Sequence, residues 1–151
     1  MATSTYLADA ILEWLRGSSF PEAPDALFVS VHTVDPGGDG VEGDVTAAVL
    51  GGRVELLQSD LSPVEAAPYG RQVNNEESLT LTYNALSSAT LTHYGLWNAD
   101  VTEGGSNLGE FLVSGELSTA VAVNAGDLLR FSVGQLTISV GGCPPTSGPL
   151  G

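Results

Sequence analysis

The chain has 151 residues, of which 42% are apolar and 15% charged. It is long enough to bury a core without a metal or a disulfide, and its composition is unlike that of a disordered segment. Against 18 acidic residues stand only Arg16, Arg53, Arg71 and Arg130, with no lysine, for a net charge of −14; such a field repels phosphate backbones and anionic lipid, so neither nucleic acid nor membrane is an expected partner.

The first predicted element is a helix over residues 5–16. Ser4 or Thr5 caps it, Asp9 is placed in its first turn, and Gly17 stops it just after Arg16. Leu7, Ile11, Trp14 and Leu15 recur at helical spacing and form one apolar face. The expectation is a helix that covers the core, and the alternative is one that docks on a partner. After the loop Ser18–Asp25, Leu27–Thr33 alternates as a strand, with Leu27, Val29 and Val31 on one face and Phe28, Ser30 and His32 on the other. Asp35–Gly40 is a turn cluster. Val41–Pro68 reads as a long insert or β-arm, with short strands at Val45–Leu50 and Arg53–Leu57 and a loop at Ser62–Pro68. Loops of such length in compact domains usually carry function, so contact with a neighbour is expected there.

Further strands are predicted at Tyr69–Asn74, Ser78–Tyr83, Leu91–Asn98 and Leu108–Leu117. In the last long stretch, Asp127–Val140, Leu129, Phe131 and Val133 hold one parity and Leu136, Ile138 and Val140 the other, so a bulge is expected at Gly134. Asn124–Asp127 before it carries a hairpin signal. Strands at regular spacing with Gly and Asn turns point to a mainly β fold, an antiparallel β-sandwich of jelly-roll or Ig-like type with one short N-terminal helix. The expected layout is one domain over residues 1–140 and an extended Gly/Pro-rich tail over 141–151.

Candidate chemistry fails on its own requirements. Gly38, Gly40 and Gly43 match a dinucleotide fingerprint in form only: no helical period follows, and Asp39 and Glu42 repel a pyrophosphate. Asp35, Asp39, Glu42 and Asp44 lack EF-hand spacing and read as a solvated acidic turn. His32 and His93 have no spaced partners for a zinc site, and no nucleophile elbow supports a Ser–His–Asp triad. Glu76 and Glu77 read as a charged turn, and adjacent residues on a strand would point to opposite faces and could not easily share a substrate. The aromatic run His93–Trp97 reads as core packing beside a close backbone approach at Gly95, with sugar stacking the lesser reading. The single cysteine, Cys143, forms no intrachain disulfide. With no basic segment ahead of an apolar run, and no apolar stretch of about 18 residues, a soluble protein made in a cytoplasm is expected. No catalytic, cofactor-binding or metal-binding residue is assigned.

Taken in order, several segments resemble a family of small tailed-phage structural proteins of tail-fibre or head-decoration type. They are Thr5–Gly17 and Leu27–Gly38, then Tyr69–Gln72, Thr92–Ala99, Gly109–Leu117 and Val123–Ile138. The resemblance spans roughly residues 3–140; the insert Val41–Pro68 and the tail after Val140 depart from it. It implies a non-enzymatic virion component whose partners are the major capsid protein or other virion proteins. The leading expectation is a capsid cement or decoration protein on the head surface, as a homo-oligomer and by lattice symmetry a trimer, touching the lattice through the helix, the insert and the tail. The alternative is a tail-fibre or adhesion module that binds a host surface ligand through exposed aromatics such as Tyr94 or Trp97. A third class, a hydrolase, would require a polar pocket joining His32 or His93 to a carboxylate.

Overall fold

A computed structural model describes residues 2–50, 52–68, 70–76, 79–84, 87–99 and 109–141. In chain order its elements are β1 (Ala2–Thr3), α1 (Thr5–Leu15), β2 (Leu27–His32), α2 (Thr46–Leu50), β3 (Val54–Leu56), a 3-10 turn (Gln58–Asp60) and β4 (Glu65–Ala67). There follow β5 (Gly70–Asn74), β6 (Leu79–Asn84), β7 (Ala89–Trp97), β8 (Phe111–Val123), β9 (Leu128–Phe131) and β10 (Thr137–Gly141). The strands form a five-stranded sheet in the order β1-β8-β7-β2-β3, a three-stranded sheet β10-β5-β4 and a ribbon β6-β9. Every pairing among the described strands is antiparallel, as expected.

The period of two in β2 decides which side chains enter the core. Leu27, Val29 and Val31 point inward, and across the ladder Val29 faces Leu96 and Val31 faces Tyr94. Leu129, Phe131 and Leu136 join the same buried cluster from the smaller sheets. The Tyr94 hydroxyl donates to the Thr137 carbonyl and so fastens β7 to β10. Burial in that apolar setting pushes the phenol well above its ordinary range and keeps it a neutral donor.

Four expectations are corrected. Residues 46–50 are helix, not strand: Asp44 accepts from the Thr46 backbone N–H at 2.9 Å and starts the turn. The insert 41–68 is no free arm, because Val49 and Leu56 are buried in the core, β3 pairs with β2, and the stretch read as a loop contains β4. The parity break near Gly134 is a turn and not a bulge. Gly134 has φ +78°, Gln135 N–H bonds the Ser132 carbonyl at 3.0 Å, and the chain passes from the β6-β9 ribbon to the three-stranded sheet, so both parities reach the same core. Asn124–Asp127 is the expected turn, with Asp127 N–H to the Asn124 carbonyl at 2.9 Å, but β8 and β9 lie in different sheets and make no hairpin. Cys143 and the tail 142–151, together with Glu77, lie outside the described residues.

Candidate interaction surface

Helix α1 begins where the sequence requires. Ser4 accepts the Leu7 N–H at 3.0 Å, and its own N–H bonds the Leu112 carbonyl at 3.0 Å, which anchors the helix start to β8. With Ser4 as cap, Asp9 lies beyond the first turn, which holds no acidic residue. Arg16 caps the other end and pairs with Glu13 at 2.8 Å in an exposed ion pair.

The apolar face of α1 is not covered. Leu7 packs on the core, but exposure climbs along the helix, from 36% at Ile11 to 55% at Trp14 and 69% at Leu15. No residue of α1 is buried. The expected core-covering helix is therefore corrected: α1 is tied to β8 at its start, and Ile11, Leu12, Trp14 and Leu15 of its apolar stripe stay exposed. Leu12 and Phe20 extend the patch, and Phe20 meets Trp14 edge-on at 6.2 Å between centroids. Neither was assigned from sequence, although Leu12 sits one step from Ile11 and three from Leu15. Beside the helix, Tyr6, Leu7, Phe20, Pro24 and Leu112 line an apolar groove of about 360 Å³. A contiguous exposed apolar surface of this kind marks an interaction site.

The residues closest to catalytic types lie elsewhere, on the second face of the five-stranded sheet. Ser30 and His32 are fully buried there, under the loop between β2 and α2. His32 Nδ1 lies 2.8 Å from the Glu42 carbonyl and Nε2 lies 2.7 Å from Ser30 Oγ. A carbonyl only accepts, so Nδ1 carries the hydrogen and Nε2 accepts from Ser30. Ser30 Oγ in turn accepts from the Trp97 indole N–H at 3.0 Å. Gly95 makes room for this group, since a Cβ there would come within 2.5 Å of Ser30 Oγ. Arg53 lies 3.5 Å over the Trp97 ring and donates to the Ala99 carbonyl at 3.1 Å. The pair has the spacing of a nucleophile and a base, but it has no exposed atom and its hydrogens are committed. Burial also holds the His32 pKa below 6.5, opposed by the Glu42 carbonyl and Asp44. His93 faces His32 across the ladder and meets Thr92 Oγ1 at 2.8 Å without joining the group.

Tyr94 and Trp97 are buried, so the expected exposed aromatic patch at these two residues is corrected. The acidic turn does not converge either. Asp35, Asp39 and Asp44 each accept from a backbone N–H two residues on, and among the described residues no three His, Cys, Asp or Glu side chains gather as metal ligands. The three glycines of the turn are followed by α2, contrary to expectation, but its five residues and its Asp44 cap make no anion site. Among the described residues no helix is long and apolar enough to cross a membrane.

A comparison with curated proteins returned no match. The family model described as podophage GP4 fiber I protein gp80 matches residues 2–139. That span takes in the exposed helix, the polar cluster and every strand up to β10, and the chain belongs to this family of phage fibre proteins.

Proposed function

We propose that this protein is a non-catalytic subunit of a virion fibre, held to a neighbouring virion protein through the open face of α1. The observation that carries the reading is an uncovered apolar stripe, Ile11, Leu12, Trp14 and Leu15, on a member of a phage fibre family. Leaving such side chains in water forgoes roughly 1.5–3 kcal/mol for each one that a partner would bury fully. The head-decoration role that led from sequence draws no support from the family description, which names a fibre. Adhesion through Tyr94 or Trp97 is unsupported because both rings are interior.

The test is gold labelling of purified virions with an antibody to this chain, read together with its copy number on a stained gel. Label confined to the tail at low copy number is the expected result. Label spread over the head at high copy number would replace the fibre reading with decoration, and absence from virions would remove both.

A further inference from the structure

We infer that His32 is an acid-sensitive latch: its neutral ring holds the loop between β2 and α2 shut and, through Gly38, fixes the start of α1, and protonation frees the two together. The loop is tied to β2 by the His32–Glu42 contact, by Thr33 N–H to the Gly43 carbonyl at 3.0 Å and by Val45 N–H to the Val31 carbonyl at 3.1 Å. At its tip the Gly38 carbonyl accepts the Thr5 N–H at 2.9 Å, and a Cβ at Gly38 would lie 2.7 Å from Thr5 Oγ1. One loop therefore touches both the histidine and the first residue of the exposed helix. A cleft of about 380 Å³ lined by Thr5, Tyr6, Gly38, Asp39 and Phe111 runs along this seam.

The hydrogen directions make the ring sensitive. A second ring proton turns Nε2 into a donor aimed at a hydroxyl whose own hydrogen already points at it. Ser30 must then turn in a closed site whose other contact is the Trp97 N–H. The charged and titratable groups around the ring are mixed. Burial, the largest influence, opposes the cation, joined by His93 on β7 and Arg53 beyond Trp97; the Glu42 carbonyl and Asp44, whose backbone pairs with that of His32, favour it less strongly. The folded pKa is lowered, so the opened state binds the extra proton first. The closed state thus loses stability as pH falls below 6.5 and continues to lose it down to the folded pKa. One proton changes the open-to-closed ratio by up to about tenfold per pH unit. The buried apolar cluster holds Val29, Val31 and Tyr94 but neither Ser30 nor His32, so the β7–β8 ladder keeps its packing when the ring's hydrogen bonds are lost and the opening is local.

Amide hydrogen exchange, corrected for the intrinsic effect of pH, reads this directly between about pH 7.5 and about pH 5. The amides of Thr5, Thr33 and Val45 are expected to lose protection together below pH 6.5, by up to about tenfold per pH unit, while the β7–β8 ladder holds. His32→Gln removes the pH response. Should that variant not fold, two others decide the matter: Asp44→Asn moves the transition to lower pH, and His93→Gln moves it to higher pH without abolishing it. The wild-type ring, followed by NMR, must titrate with the same midpoint as the exchange. Equal loss in the β7–β8 ladder, no loss at Thr5, or a transition abolished by His93→Gln overturns the latch. None of these outcomes depends on where the protein sits in the virion.

Discussion

On one face of the five-stranded sheet, Val29, Val31, Tyr94 and Leu96 share a buried cluster with Leu129, Phe131 and Leu136. On the other, Ser30, His32 and Trp97 are no less enclosed, yet directed hydrogen bonds and an arginine stacked on an indole organise them. The two faces belong to the same strands and alternate residue by residue. Their energetics differ in kind: apolar contacts are non-directional and scale with area, whereas buried polar groups are costly unless each has its partner. Volume is what the first face resists losing, and partners are what the second resists losing.

The largest effect should come from the apolar face. Phe131 has no exposed surface, and Phe131→Ala leaves a cavity between the ribbon and the sheet. A loss of about 3–5 kcal/mol is expected by urea denaturation, with little dependence on pH near neutrality, because burial keeps Tyr94 of the same cluster a neutral phenol there. A loss below about 1 kcal/mol would mean that the site collapses freely and that the core is not close-packed there.

A smaller but more specific effect separates the second face. Ser30→Ala removes only one oxygen, yet it strands the Trp97 N–H and His32 Nε2 in a closed site. A cost of about 1–3 kcal/mol follows from the unpaired groups. Ser30→Thr keeps the hydroxyl and should recover part of that cost, provided that Gly95 opposite still leaves room for the added methyl. If Ser30→Ala were neutral, the bonds drawn between Trp97, Ser30 and His32 would not organise this face.

The contrast also explains which features were legible in the sequence. Leu27, Val29 and Val31 announced the apolar face through simple alternation. The same rule put Ser30 and His32 on the opposite face but could not show that it is covered, because polar residues on the second face of an antiparallel strand are usually exposed. A hint was present: a glycine and a tryptophan on a nearby aromatic strand, and a Gly-rich turn directly after His32, able to fold back over them. The short helix at 46–50 was missed because five residues do not complete two turns, so Thr-Ala-Ala-Val-Leu shows no helical period. The parity break at Gly134 was visible, but a chain that changes sheets and a chain that bulges break the period of two alike. For α1 the periodicity identified an apolar face; whether anything in the same chain covers it is a question of tertiary placement.

That open face yields the smallest expected change in stability and the sharpest test of what it is for. Leu12 and Leu15 are 59% and 69% exposed, so replacing both with serine removes little packing from the folded chain. Exposed substitutions away from caps and cores usually stay within about 0.5 kcal/mol each. Serine lowers helix propensity slightly at the two positions, and the Ser4 cap and the anchor to Leu112 remain. Thermal melting of Leu12→Ser/Leu15→Ser should therefore lie close to that of the parent protein, while incorporation into virions, read as band intensity on a gel, should fall sharply. A matched control at Val133, 61% exposed on the turn between β9 and β10, separates this helix from exposed apolar residues in general: Val133→Ser should leave both stability and incorporation unchanged. If the double variant melts normally and still enters virions at the parental level, the exposed stripe is not the attachment surface, and the contact must be sought elsewhere on the molecule.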